Sequence, residues 1–313
     1  MKYTKKKSET TRMTNRLIQK ENKMKKTGKI ILSILALCLA ISCVFALVAC
    51  NTTGTSTTKT GSKVKVKSIA LTAESYAFVI KKGNSEMKAQ ADALLAELKE
   101  SGELDELINS FFDGTATFTY TNPVSKDGCL VVATNAYFPP FEYYEGNKLT
   151  GIDMKIASLL AAKLGKTLYI LDEEFQSIFT SVNTGEADIG MAGITVNETR
   201  LASFDLSTEY YESAQVITVA DSDTTFDACK TAADVEAILA KKGKDYNVGT
   251  QNGTTGYMYT AGDEDFGYDG FKNLTVSGYN TGALAMQDLA NGKLNAVILD
   301  QQPSLMIAKN INK

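Results

Sequence analysis

Residues 188–200, DIGMAGITVNETR, concentrate residue types that can hold a small anion. Residues 189–191 read as the end of a short apolar strand. Ala192 and Gly193 leave the backbone uncovered, so a ligand can approach it closely. Thr195 with Glu198 three residues on has the pattern of a capping box, which predicts a helix start at Thr195 and places Arg200 in about its first turn. The chemistry is carboxylate recognition: a guanidinium supplies a two-pronged fork and the loop supplies backbone N–H groups. A surface arginine behind an ordinary capped helix has the same local sequence. Asp300 is a second candidate, an acid delivered by the apolar run 296–299. Residues 250–256, TQNGTTG, form a Gly/Thr loop opening a helix near Tyr257; no Gly-Lys-Ser/Thr follows, which argues against a nucleotide site. The chain has no histidine, and its cysteines have no metal-ligand spacing. A Ser-His pair and a zinc site are thereby excluded.

The elements around these residues alternate. A strand over 130–133 feeds the loop Asn135-Ala136-Tyr137-Phe138-Pro139-Pro140-Phe141, where the prolines stop any helix. Helices are predicted over 152–164 and 175–183, strands over 167–171 and 210–220, and a helix over 281–291. This alternation predicts parallel α/β layers, with ligands at the carboxyl ends of the strands. Ahead of it, Val64 and Val66 mark a short strand, residues 76–80 another, and residues 85–99 and 104–112 two helices separated by Ser101-Gly102.

Five blocks resemble the solute-binding proteins of polar amino-acid ABC importers, the family-3 extracellular type: ATNAYFPPFEYYEGNKLTGIDMKIASLLAAKLG, ADIGMAGITVNETR, FDLSTEYYESAQVITV, VGTQNGTTG and LANGKLNAVILDQQPS. They stand in family order. The resemblance implies a two-lobed, type II periplasmic-binding-protein-like α/β fold with a two-strand hinge, expected near Val79 and Val216. Residues 71–112 look like the family's C-terminal end, yet precede its N-terminal block, and the chain stops at Lys313 where that tail would begin. This implies a circular permutation, a rearrangement tolerated where termini meet at the surface. The remnant of a duplicated domain is the competing origin. The expected division is residues 64–80 with 213–313 as one lobe, 81–112 with 129–212 as the other, and 113–128 as the new linker.

By resemblance, Arg200 pairs with a ligand α-carboxylate, assisted by Thr195 and the backbone at Thr254 and Thr255. Asp300 takes the α-ammonium with the Gly193 carbonyl and the Thr195 hydroxyl. Phe138 and Phe175 sandwich the ligand side chain, and Asn135 and Gln251 face it. Asn135 is often Asp in relatives for cationic amino acids, and Ala192 is often Ser, so the resemblance implies a polar, uncharged side chain while leaving cationic ligands open. No second carboxylate stands at a matched position.

The address lies at the start. Ile30 to Ala49 carries no charge and follows a basic run. Leu47-Val48-Ala49-Cys50 resembles a bacterial lipobox, which implies a signal peptide over 1–49 and a lipid on Cys50, with an uncleaved anchor as the alternative. Met24 would make a conventional start, leaving 1–23 as an upstream extension. Residues 51–63 read as a flexible Thr/Ser/Gly spacer. Residues 1–50 hold 11 Lys or Arg and 2 Asp or Glu; removing them from the chain's 33 and 36 leaves 22 and 34, a net of −12. That balance argues against nucleic acid. The expectation is therefore a monomeric, lipid-anchored, extracytoplasmic binding protein with a free amino acid and a permease as partners, without cofactor or catalysis. A sensor component and a dehydratase-type enzyme are the competing classes. A Cys129–Cys229 disulfide is possible in such a compartment but geometrically demanding.

Overall fold

A computed structural model describes residues 63–313; the leader, Cys50 and nearly all of the spacer lie outside the described residues. In chain order the elements begin β1 (Val64–Lys67), β2 (Glu74–Tyr76), β3 (Val79–Lys81), α1 (Ser85–Ser101) and α2 (Glu103–Phe112). They continue β4 (Leu130–Thr134), β5 (Tyr137–Phe138), β6 (Glu142–Glu145), β7 (Lys148–Thr150), α3 (Ile152–Lys163), β8 (Leu168–Asp172) and α4 (Phe175–Thr184). Next come β9 (Ile189–Gly190), α5 (Glu198–Ser203), β10 (Phe204–Leu206), β11 (Tyr211–Ser213), β12 (Gln215–Ala220) and α6 (Ala232–Leu239). The chain closes with β13 (Asn247–Gln251), α7 (Thr255–Ala261), β14 (Thr275–Tyr279), α8 (Gly282–Ala290), β15 (Ala296–Asp300) and α9 (Gln301–Ile311).

Two five-stranded sheets build two α/β lobes. One has the order β10-β3-β9-β4-β8 and carries Arg200 just beyond β9; the other has the order β1-β12-β15-β13-β14 and ends in Asp300. Neither sheet is purely parallel. β4 pairs in parallel with β8 and β9, and β15 with β13, but β3, β10, β1 and β12 enter antiparallel. The antiparallel members are those that carry the chain between lobes, which periodicity alone does not reveal.

The crossing itself is a two-stranded ribbon of β2 and β11, with Tyr76 opposite Tyr211 and Glu74 opposite Ser213. This moves the hinge from the expected positions. Val79 lies in the Arg200 sheet and Val216 in the Asp300 sheet, while the ribbon falls between them and breaks both predicted long strands. The break near Val79 follows from Ala77 and Phe78, which are buried but unpaired in any ladder.

Residues 64–112 are integral to both lobes. β3 sits between β10 and β9, and β1 edges the Asp300 sheet against β12. Leu95 and Leu98 of α1 and Leu104, Ile108 and Phe111 of α2 share one core with Ile156 and Leu160 of α3. Gly102, at φ 80°, separates the two helices in a left-handed turn. Asn312 holds the start of the described residues: its Oδ1 accepts from the backbone N–H of Lys63 and Val64, and its amide donates to the Val64 carbonyl. Residues 113–128 form no helix or strand, but Asn122 spans the free edge of β8, bonding both the N–H and the C=O of Ile170. Cys129 and Cys229 are both free thiols. Among the described residues no helix is long and apolar enough to cross a membrane, and no group of side chains forms a metal site.

Candidate functional site

The cavity that gathers the candidate residues lies between the lobes. It is lined by Asn135, Phe138, Phe175, Gly193, Thr195, Arg200, Gln251, Thr254, Thr255 and Asp300, all ten residues expected from the sequence, together with Ala192 and Glu142. The carboxyl ends of β4, β9, β13 and β15 supply most of the wall, as expected where parallel strands end.

Arg200 is 5 % exposed and sits in α5. The cap of this helix is Asn197, whose side chain accepts from the Arg200 N–H at 2.8 Å; Thr195 is not the cap. The Thr195 hydroxyl instead donates to Glu74 at 2.9 Å, tying the site loop to the hinge ribbon. The Arg200 guanidinium donates to the Thr195 carbonyl at 2.6 Å and, across the cleft, to the Gly253 carbonyl at 3.4 Å. It stacks within 5.7 Å of Phe175 and 5.2 Å of Phe179. Burial lowers its pKa to about 10, opposed by Glu74 and Asp300, so it stays cationic at neutral pH. A buried guanidinium held by two carbonyls keeps further N–H donors for a carboxylate.

Asp300 is 4 % exposed. Burial raises its pKa, and the neighbouring Glu74 adds to the shift; the Tyr76 hydroxyl works against it by donating to the carboxylate at 2.5 Å. Ser213 in turn donates to the Tyr76 oxygen at 2.9 Å. Tyr76 of the hinge ribbon therefore reaches the acid, and Ser213 backs it.

The remaining lining residues divide by type. Phe138 packs over Gly193, whose φ of +53° and bare α-carbon admit the ring; a Cβ there would lie 2.7 Å from Phe138 Cε1. Asn135 and Gln251 were expected to face a ligand side chain. They bond each other across the cleft, Gln251 Nε2 donating to Asn135 Oδ1 at 3.0 Å, while the Asn135 amide donates to the Glu173 carbonyl and Gln251 Oε1 accepts from the Gly282 N–H. Thr254 is the N-cap residue of α7, and the buried Thr255 hydroxyl has no hydrogen-bond partner.

Acidic residues are what the sequence reading missed. Glu142 lines the cavity, 1 % exposed, so a second carboxyl does stand in the cleft. Asp153 lies behind it, accepting from Tyr210 at 2.7 Å and from the Gly193 N–H at 3.0 Å; burial pushes its pKa up to about 7. The signal was hidden because Phe141 and Glu142 are adjacent and both buried. Strand alternation would turn one of them outward, but Phe141 ends a turn before β6 begins.

Residues 130–309, more than half of the chain, match the model for the bacterial extracellular solute-binding proteins, family 3. The chain belongs to that family. It is similar to the arginine-binding extracellular protein ArtP of Bacillus subtilis, 30 % identical over 125 residues, which cover 40 % of this chain and 44 % of that protein. It is also similar to the L-cystine-binding protein TcyJ of Escherichia coli K12, 26 % identical over 193 residues, 61 % of this chain and 66 % of that protein. The match thus spans 44 % to 66 % of the length of these relatives. A solved structure, the ancestral amino acid-binding protein AncCDT-1, described as a precursor of cyclohexadienyl dehydratase, is similar with a TM-score of 0.50 at 28 % identity, covering 59 % of this chain and 75 % of that one. The family and this neighbour agree with the two-lobed α/β fold of a type II extracellular binding protein.

Proposed function

We propose that this family-3 protein captures a free polar amino acid between its lobes and delivers it to the permease of an ABC importer, working as a monomer tethered outside the cytoplasmic membrane by a lipid on Cys50. The observation that carries this reading is the pairing of Arg200 from one lobe with Asp300 from the other in one cavity. A zwitterion presents a carboxylate to the first and an ammonium to the second, so a single small molecule bridges the hinge and stabilises the closed arrangement. Phe138 and Phe175 supply apolar walls for the side chain, and the named relatives bind arginine and cystine.

The chain order is part of the reading. Circular permutation of the family fold accounts for the core placement of residues 64–112, for the family match beginning only at residue 130, and for the Asn312 bonds that join the chain's end to β1. In that order the tether leaves from β1, on the sheet that carries Asp300.

A thermal-shift screen against the common amino acids, ornithine, citrulline and cystine tests the function. At about a hundredfold excess over Kd, a ligand stabilises by about 2.7 kcal/mol. The expected result is a selective upward shift, lost in both Arg200→Ala and Asp300→Ala. Shifts that survive both substitutions would place binding elsewhere.

A dehydratase-type activity is the second reading, favoured by the buried acid Glu142 in the cleft. Mass-spectrometric detection of a product one water lighter than a bound acid separates it from binding alone.

A further inference from the structure

Between α7 and β14 the chain makes a loop, residues 262–271, that belongs by its packing to the Asp300 lobe. A one-turn 3-10 helix, Glu264–Phe266, forms its tip. Asp263 and Tyr268 pair in an antiparallel bridge beneath the tip, and the Asp263 carboxylate accepts from the N–H groups of Asp265 and Phe266 at 3.1 and 3.3 Å. Gly270 closes the base against the Gly262 backbone, where a Cβ would collide. Tyr268 and Phe271 pack edge-on against Tyr259, which is buried in the core of that lobe. The tip is therefore shaped by its own bonds and fixed to the Asp300 lobe.

That tip reaches the other lobe. Thr199, the neighbour of Arg200 in α5, donates its hydroxyl to the Asp265 carbonyl at 2.9 Å, and the Phe266 ring lies 5.9 Å from the Arg200 guanidinium. A second cavity stands there, lined by Phe179 and Phe204 from one lobe and by Gly253, Met258 and Phe266 from the other; Arg200 is the one residue it shares with the candidate ligand cavity. The guanidinium thus has a ligand side and an outer side. Phe175 and Phe179 flank it from its own lobe, whereas Phe266 and the Gly253 carbonyl come from the opposite one. Covering the outer side takes water off the guanidinium, and an ion pair made on the ligand side is strengthened as the local dielectric falls.

We propose that residues 262–271 are a latch and that Phe266 is a positioning residue for Arg200, covering the outer side of the guanidinium when the lobes close and so slowing release of the bound amino acid. The proposal rests on reading the cavity as an amino-acid site that closes on its ligand. The amino acid enters while the lobes are apart and Phe266 is off Arg200, so the latch acts on departure rather than arrival.

The chain contains no tryptophan. Phe266→Trp therefore puts a single reporter at the tip while keeping an aromatic face for Arg200. The probes are the common amino acids, ornithine, citrulline and cystine, and the tightest binder among them is used with the full-length chain. Binding it is expected to shift the tryptophan emission of Phe266→Trp to shorter wavelength and to reduce quenching by acrylamide. Stopped-flow kinetics, followed by tyrosine fluorescence, separate arrival from departure. Phe266→Ala is expected to release the probe about fivefold faster or more, with association within about twofold of wild type. Phe266→Tyr should restore release to within about twofold of wild type, because it keeps the ring. Thr199→Val removes the bond to the Asp265 carbonyl without touching Phe266 and should speed release about twofold or more. Melting curves check that each variant is folded; if Phe266→Ala is not, Thr199→Val and the tryptophan reporter decide. Unchanged release in a folded Phe266→Ala or Thr199→Val, a loss confined to association, or a Phe266→Tyr that releases as fast as Phe266→Ala overturns the latch and leaves the amino-acid site standing. A tryptophan emission that the bound probe does not move does the same. If no probe binds the wild-type chain, the amino-acid reading itself fails and the latch falls with it.

Discussion

Arg200 and Asp300 were visible in the sequence because each ends or follows an apolar run and belongs to a recognisable block. The acids that surround them were not, because they come from positions that pattern reading sends elsewhere. Glu74 lies in the hinge ribbon, Asp153 opens a helix, and Glu142 breaks strand alternation. Their burial has a measurable consequence. An ordinary aspartate titrates near 3.9 in an unfolded chain, whereas Asp153 titrates at about 7 in the folded one. Between those values the folded state binds more protons, so stability falls as pH rises through that interval and levels off above it. Burial shifts Asp300 and Glu142 in the same direction. The surface carboxyls of Asp227, Asp234 and Asp288 are held below their ordinary range and act at lower pH. The ligand-free chain should therefore melt at a lower temperature at pH 8 than at pH 5.5, and Asp153→Asn should reduce the difference. A melting temperature that rises over this interval would contradict the burial of these acids.

Most elements were readable from their own residues. The helices near residues 85, 104, 152 and 175 and the short strand at Val64 stand within a few residues of where periodicity puts them, since each carries its apolar face locally. The hinge was misplaced because a crossing ribbon has no periodicity of its own: β2 and β11 are three residues each, defined only by pairing with one another. The same reasoning decides what the early elements do. β3 is an interior strand of the Arg200 sheet, and α1 and α2 pack on α3, so residues 129–313 lack a strand and two helices of that lobe as well as β1. This fragment, which contains the whole family match, is expected not to unfold cooperatively on its own. A chain reordered as residues 129–313 followed directly by 63–112 restores these elements through the junction that Asn312 already spans. It should fold and bind the same amino acid within about threefold of the original, the range of an unchanged site. A cooperative, ligand-binding 129–313 fragment would show that residues 63–112 are an appendage.

At the scale of the molecule, the proposed capture depends on parts of the site standing on opposite lobes. The cleft is spanned by Gln251 to Asn135, Arg200 to Gly253, Asn280 to Glu174 and Thr199 to the Asp265 carbonyl, and the ribbon of β2 and β11 joins the lobes behind it. A bridging ligand with one charge for each wall would add to these bonds and so shift the opening equilibrium. Family blocks in the sequence made the two lobes legible, because four of the five carry residues that line the cleft. The side-chain bonds that span the cleft depend on how two separate walls meet, which no local pattern encodes. The most direct test of ligand-driven closure is small-angle X-ray scattering of the chain with and without the amino acid that gives the largest thermal shift. A smaller radius of gyration with saturating ligand, and no change in Arg200→Ala, is the predicted result. An identical radius with and without a ligand that binds through Arg200 and Asp300 would contradict closure as the mechanism of capture.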